Sequence, residues 1–468
     1  MKGIAVVLAA GQGKRMRSQM PKVLHPLAGV PILVRLLERL RAFGFERILV
    51  VLGQQSDRVS QVLEGLGVEI VLQAEQLGTG HALLQTRSSL SGFQGTLIVA
   101  NGDTPLIREE TLEALMGEHV RRGAEVTLLS ATLDHPRGYG RVVRGRSGRV
   151  ARIVEERDCS DRERMIREIN TGIYAFEAPR IFTLLSKVQP DNAQNEYYLT
   201  DVVREAIRRK IKVAAIEAAD PTEVLGINSR SELALAEREI QRRIAERWME
   251  EGVTFVRPQD VLVGSEVKIG RDTVLYPGTV LEGKSVLGAG CTVRASRIVD
   301  STLGEGVIVK DFCVIEGSYL EQGVSVGPFT HLRPGTVLKK GVKVGNFVEV
   351  KASQLGEGTK ANHLSYIGDA TVGSHVNVGA GTVTCNYDGF KKFRTTIADG
   401  AFIGSGTQLV APVEVGEGAV IGAGSTVTQN VPADALALSR NHQVNREGWA
   451  KKRRLKNSGK REGGPPSR

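Results

Sequence analysis

Four cysteines in 468 residues, at positions 159, 291, 313 and 385, stand far apart and form no CxxC pair. That spacing speaks against a disulfide framework and a thiolate metal site, and favours a reducing compartment such as the cytoplasm. No apolar run approaches the roughly 20 residues of a membrane-spanning helix, so a soluble protein is expected. The stretch MKGIAVVLAA at residues 1–10 has one lysine before a short apolar run and leads into a glycine loop rather than a cleavage site, so it reads as a buried strand. A Walker motif is also missing: AAGQGKRM at 9–16 lacks the GK[ST] ending, and Gly11 and Gly13 alone match a dinucleotide fingerprint poorly. Basic charge is not spread over the chain. Of the net +10, residues 451–468 supply +7, with eight Lys or Arg against one Glu. Gly, Pro and Ser around them predict a solvated, disordered tail rather than a nucleic-acid arm.

The chain is too long for one core, and it has two textures. Through residue 228, short apolar runs (GIAVVLAA, RILVVLG, VEIVLQ, TLIVANGD) alternate with amphipathic stretches such as PILVRLLERLRAF, where Pro31 suits a first helical turn. The alternation predicts an α/β domain, a parallel sheet covered by helices. Residues 229–250 are rich in helix formers without Gly or Pro and predict a linker helix. Over 251–450 the period becomes six. Aliphatic residues recur at Ile269, Leu275, Leu281, Leu287, Val293 and Val299, again from Val326 to Val350, and again from Ile397 to Val427. Such hexads predict a parallel β-helix of roughly 10 coils. The pattern breaks at CNYDGFKKFRTT, 385–396, an insertion free to carry binding groups.

The loop after the first strand supplies glycines for close backbone approach and Lys14, Arg15 and Lys22 as fixed positive charge, a combination suited to a triphosphate. Asp103 follows the run TLIVA, and ligands of open parallel sheets sit beyond the carboxyl ends of strands. The loop and Asp103 are therefore expected in one crevice, with the carboxylate able to hold Mg²⁺.

At these residues the chain resembles a known family. LAAGQGKRM, PKVL, QAEQLGTGHA, NGDTPL, GYGR, IVEE, EINTGIY and GIN are similar to the motifs of sugar-1-phosphate nucleotidyltransferases. RPG, NFVEVK, KANHLSYIGD, NVGAGTVTCNYDG and FIGSGTQLVAP in the hexapeptide half narrow the resemblance to the bifunctional GlmU family. In that family N-acetylglucosamine-1-phosphate uridyltransferase is joined to glucosamine-1-phosphate N-acetyltransferase. The resemblance runs to about residue 450 and implies a left-handed β-helix, a homotrimer with acyl-transfer sites between chains, and a cytoplasmic role supplying peptidoglycan and lipopolysaccharide precursors.

The resemblance also implies roles. Leu8, Ala9, Ala10, Gly11, Gln73, Gly78, Thr79 and Gly102 would hold the nucleotide, Arg15 and Lys22 would neutralise phosphate charge during uridylyl transfer, and Asp103 and Asn228 would hold Mg²⁺. Gly140, Glu155 and Asn170 would hold the sugar, while Asn101 stands where the family commonly has an aromatic, leaving its nucleotide-sugar contact open. For acetyl transfer, His363 would be the general base. Arg333, Lys351, Tyr366 and Asn377 would bind glucosamine phosphate, with Asn386 also touching the sugar. Ala380, Asn386, Tyr387, Lys392, Ser405, Ala423 and Arg440 would line the acetyl-CoA side, Ser405 also serving the oxyanion. Three other readings stay open: a uridylyltransferase with a structural β-helix, a noncatalytic scaffold of nucleotidyltransferase and hexapeptide parts, and a nucleic-acid binder acting through the tail.

Overall fold

The computed structural model describes residues 3–11, 13–53, 56–440 and 442–458. They form two compact units, Met1–Glu250 with Leu262–Glu266 and Glu251–Val261 with Val267–Arg468.

In the first unit, β1 (Gly3–Leu8), β2 (Arg47–Gly53), β3 (Glu69–Gln73) and β4 (Thr96–Asn101) pair in parallel, in the order β4-β1-β2-β3. Every residue of β1 is buried because both faces are covered. Ala5 and Val7 pack with Leu33, Leu36 and Leu40 of α1 (Ile32–Ala42) and Leu112 and Leu115 of α3 (Glu109–Arg122), whereas Ile4, Val6 and Leu8 point into a second core with Leu83 and Phe182. Pro31 lies just before α1, in extended conformation. The sheet is mixed rather than wholly parallel. β5 (Val126–Thr132) and β8 (Glu168–Glu177) extend it, with β8 antiparallel between β4 and β5, and β9 (Val213–Glu217) closes that side parallel to β5. A run buried on both faces carries no mark of its direction, so EINTGIYAFE does not announce the reversal. Between β5 and β8, β6 (Arg141–Arg144) and β7 (Val150–Val154) form a hairpin that pairs with β8.

The expected linker helix is α4 (Arg230–Glu250), and it belongs to the body of the first unit. Ala236, Ile240, Ile244 and Trp248 repeat every four residues and are buried, which gives the helix one docked face. Arg243 donates to the Leu106 carbonyl at 2.7 Å and Glu237 accepts from the Ala28 amide at 2.8 Å.

The second unit is a left-handed β-helix. Among the described residues, three parallel ladders of eleven, ten and nine strands make its faces, named here first, second and third in that order. The inward column follows the hexads at Leu275, Leu281, Leu287 and Val293, but then steps by five to Ile298 and again to Leu303. Ile298, not Val299, points inward, because one corner of that coil is tighter by a residue. Further five-residue steps, such as Val350 to Leu355, explain the shifting register.

From Gly278 onward, each turn from the first to the second face uses a left-handed residue. Phe312, Phe329 and Phe347 occupy this corner in successive coils with φ of 61, 54 and 57°, their rings exposed and stacked at 5.2 Å. Leu364 follows, and then Gly381, Gly406 and Gly424. The tail expected as disordered is helical over α5 (Trp449–Ser458), none of it buried, since its Ala, Lys, Arg and Leu are good helix formers and no Gly or Pro interrupts them. Residues 459–468 lie outside the described residues.

Candidate active sites

The first site lies beyond the carboxyl ends of β1, β3 and β4. The Gly102 amide donates to the Leu8 carbonyl at 2.9 Å and Gln76 Nε2 to the Ala10 carbonyl at 2.7 Å, tying the Leu8–Gly11 segment to its neighbours. A 3₁₀ turn at Lys14–Met16 buries Met16, which anchors the glycine loop and leaves Arg15 exposed. Gln73 is buried at the end of β3 and donates to the Gly78 carbonyl at 3.2 Å. Gly78 has φ 107°, and a Cβ there would fall 2.7 Å from the Tyr197 carbonyl oxygen, so the turn into α2 (Thr79–Leu84) requires glycine. Thr79 Oγ1 accepts from the Leu199 amide at 3.0 Å.

Asp103 and Asn228 converge although 125 positions separate them. The Ile227 amide donates to the Asp103 carbonyl at 2.9 Å, and Lys22 Nζ lies 2.5 Å from Asp103 Oδ2 and 3.0 Å from Asn228 Oδ1. One carboxylate and one amide oxygen thus surround a single positive charge, a donor set suited to Mg²⁺, which keeps waters and takes other ligands from substrate phosphates. No group of three or more His, Cys, Asp or Glu able to hold a metal occurs among the described residues.

The three residues assigned to the sugar also meet. The Gly140 carbonyl accepts from the Asn170 amide at 2.8 Å, a Cβ on Gly140 would lie 3.3 Å from Glu155 Oε2, and Thr200 Oγ1 donates to Glu155 Oε1 at 3.1 Å. Burial raises the Glu155 pKa, opposed by the Thr200 hydrogen bond and reinforced by Asp158, Asp201 and Glu196. Among the described residues Asn170 Oδ1 is buried without a partner, an acceptor suited to a ligand hydroxyl. Asn101 lies against Gly172, the left-handed residue at the bulge of β8. Tyr139 joins the two groups: it precedes Gly140, and its hydroxyl accepts from the Gly226 amide at 3.2 Å, two residues from Asn228. Burial pushes this phenol up to about 12, so it stays protonated.

In the β-helix, one cluster forms where the second face meets the third. Lys351 Nζ lies 3.2 Å from Asp369 Oδ2, Asn386 Nδ2 donates to the same oxygen, and Arg333 pairs with Glu349 at 2.9 Å. The neighbouring Lys351 ammonium lowers the Lys392 pKa. Asn386 and Lys392 belong to the insertion, a tight loop in which Tyr387 bridges to Lys392 and is itself exposed. Tyr366 lies on the same face with its hydroxyl over Gly368.

A second group runs along the corner between the first and second faces. His363 is exposed there, with Nδ1 3.1 Å from Asn346 Oδ1. An amide oxygen only accepts, so this pairing assigns the proton to Nδ1 and leaves the Nε2 lone pair free. Ala380, Ser405 and Ala423 follow in successive coils, linked by the Gly406 amide to Ala380 carbonyl bond (2.7 Å) and the Gly424 amide to Ser405 carbonyl bond (2.8 Å), and Arg440 donates to the Ala423 carbonyl at 2.8 Å. At roughly 4.8 Å per coil, the four steps from His363 to Arg440 span about 19 Å of edge bordered by bare glycines. Asn377 stands on the first face, around the corner from the Lys351 cluster. Among the described residues no hydrogen bond or salt bridge links His363 to that cluster.

Three family models match separate stretches of the chain. Residues 5–170 match the MobA-like NTP transferase domain, 271–350 the GlmU-like C-terminal hexapeptide and 394–429 the bacterial transferase hexapeptide of six repeats. The bifunctional protein GlmU of Pelobacter propionicus is 47% identical over 447 residues, covering 95% of this chain and 97% of its own length. That of Carboxydothermus hydrogenoformans is 48% identical, covering 95% and 99%, and that of Halalkalibacterium halodurans 46% identical, covering 96% and 98%. This chain belongs to the GlmU family.

Three residues of this GlmU-family chain escaped the sequence reading. Asn346 and Asp369 lay inside the quoted motifs NFVEVK and KANHLSYIGD, and Tyr139 inside GYGR. The signal was a polar residue one coil, 17 or 18 positions, from an expected site residue: Asn346 from His363, and Asp369 from both Lys351 and Asn386.

Proposed function

We propose that the chain makes UDP-N-acetylglucosamine in two steps, acetyl transfer from acetyl-CoA to glucosamine 1-phosphate in residues 251–450 and uridylyl transfer from UTP to N-acetylglucosamine 1-phosphate in residues 1–228. The observation that carries the first-unit reading is the convergence of Lys22, Asp103 and Asn228 beside a glycine loop. In uridylyl transfer the sugar phosphate oxygen attacks the α-phosphorus and pyrophosphate leaves. Backbone groups of Leu8–Gly11 with Gln73 and Thr79 position the nucleotide, and Gly140, Glu155 and Asn170 aim the sugar phosphate. Arg15 and Lys22 neutralise charge on the transferring phosphates. Mg²⁺ held by Asp103 and Asn228 supplies further neutralisation of the triphosphate when bound.

In acetyl transfer, His363 Nε2 takes a proton from the glucosamine amine as nitrogen attacks the thioester carbonyl, and the CoA thiolate leaves. Arg333 and Lys351 attract the sugar phosphate, Asp369 holds Lys351 and Asn386 in place, and Ser405 faces the developing oxyanion. The glycine-bordered edge from His363 to Arg440 suits an extended acyl donor with a phosphorylated end. We further propose a homotrimer in the cytoplasm. Exposed stacked phenylalanines beside His363 favour a partner copy there, and the co-substrates UTP and acetyl-CoA with four free thiols fit a reducing compartment.

The test is selective loss. Asp103→Ala is expected to abolish uridylyl transfer and spare thiol release from acetyl-CoA with glucosamine 1-phosphate. His363→Ala should lower that release by about a hundredfold or more and spare uridylyl transfer. No thiol release from folded wild-type protein would leave a uridylyltransferase with a structural β-helix.

A further inference from the structure

Lys22 occupies a position that its role as a phosphate ligand does not explain. Its ammonium stands 2.5 Å from Asp103 Oδ2 and 3.0 Å from Asn228 Oδ1, with the Lys22 and Asp103 side chains only 12% and 13% exposed. The backbone beneath is fixed by Pro21 and by Val23, which is buried. The stem passes directly over the glycine loop: a Cβ on Gly13 would fall 2.6 Å from Lys22 Cβ. Side-chain rotation alone can therefore carry the ammonium from the two oxygens toward phosphates seated on the loop.

Two cations cannot share one carboxylate oxygen and one amide oxygen without strong repulsion in so enclosed a place. We propose that Lys22 is a tethered counter-cation that competes with the divalent ion for Asp103 and Asn228, so that full metal occupancy requires a triphosphate to draw Lys22 away. This inference rests on the reading of Asp103 and Asn228 as the metal pair. A partly buried carboxylate left unpaired is costly, and Lys22 removes that cost in the nucleotide-free protein. Once phosphates take the ammonium, the pair is freed for the metal. By reciprocity the metal then strengthens triphosphate binding by the same factor. The enclosed charge thus discourages metal loading without nucleotide.

The experiment titrates Mn²⁺ into the full-length protein without nucleotide and follows free Mn²⁺ by electron paramagnetic resonance. Lys22→Met is expected to bind Mn²⁺ about tenfold more tightly than wild type, or better, because a neighbouring unit charge is removed. Lys22→Gln repeats the test should the methionine variant melt abnormally. Lys14→Met, which removes an equal charge from the neighbouring turn, is expected to change affinity by about twofold at most. Lys22 variants that bind no tighter than wild type, or equal tightening by Lys14→Met, overturn the proposal. If Asp103→Asn abolishes wild-type Mn²⁺ binding while the Lys22 variants change nothing, the competition falls and the metal pair stands. If Asp103→Asn in the Lys22→Met background leaves Mn²⁺ bound, the metal pair itself falls.

Discussion

Asn346 offers a stringent test of the proposed role of His363 as a base. Its side chain accepts a 3.1 Å hydrogen bond from His363 Nδ1 and thereby selects the tautomer whose Nε2 is free. Replacing Asn346 by Ala removes one neutral hydrogen bond, worth about 0.5–1.5 kcal/mol. If that energy is fully expressed in the transition state, kcat for acetyl transfer falls roughly two- to twelvefold. The loss is much smaller than that expected for His363→Ala, because the imidazole remains. Asn346→Asp replaces the neutral acceptor with a carboxylate that holds the imidazole proton more tightly, so the acid limb of the kcat/KM profile moves to higher pH. Thiol release from acetyl-CoA across a pH series reads both effects, and uridylyl transfer by the same preparations serves as the internal control. An unchanged profile in Asn346→Asp, or unaltered kcat in Asn346→Ala, would refute the assigned pairing.

Other expectations follow from burial and packing. Glu155 has a raised pKa, chiefly from burial, so its folded form retains the proton longer than the unfolded chain and its contribution to stability is lost as pH rises through the folded value. Thermal melts of Glu155→Gln should therefore show a larger gain over wild type at about pH 8 than at about pH 4.5. Buried His119 has the opposite sign: burial lowers its pKa although Glu177 opposes, so stability is lost as pH falls below the ordinary histidine value. Wild type should lose more stability than His119→Asn between about pH 7 and 5 in the same melts. Leu287 is 2% exposed and its neighbour Val286 36%, on opposite sides of one strand. Leu287→Ala should cost about 2–5 kcal/mol and Val286→Ala about 1 or less by denaturant unfolding, and equal costs would place the column wrongly. A Cβ at Gly404 would fall 2.5 Å from the Ala423 nitrogen, so Gly404→Ala should lower stability by about 1–3 kcal/mol in that assay.

The sequence made the recurring chemistry legible and hid what depends on direction or stacking. Apolar runs located β1 to β4, but Tyr174 and Phe176 are as buried in an antiparallel strand as they would be in a parallel one, so β8 gave no warning. Hexads revealed the β-helix because each inward residue is aliphatic, yet the tight corner moved the inward position to Ile298. Asp103 was visible at a strand end and was expected in one crevice with the loop that carries Lys22, whereas the seat of the ammonium between Asp103 and Asn228 depends on contacts across 81 and 206 positions. Helix α4 showed its helix formers plainly. Its docking depended on a four-residue stripe that the mixture of charges obscured.

The corner that carries Phe312, Phe329, Phe347 and Leu364 before turning to Gly381, Gly406 and Gly424 has the arithmetic of a ruler. Each graduation is one coil, about 4.8 Å of length for 17 or 18 residues in an uninterrupted turn. Loss or gain of a whole coil would change the length of the proposed donor seat while keeping every inward aliphatic residue in register. A change of two or three residues would throw the column out of step unless it lay in a loop such as 385–394. Length along this edge is therefore discrete, and Leu364, where rings give way to glycine, marks the zero of the scale, one coil below Gly381.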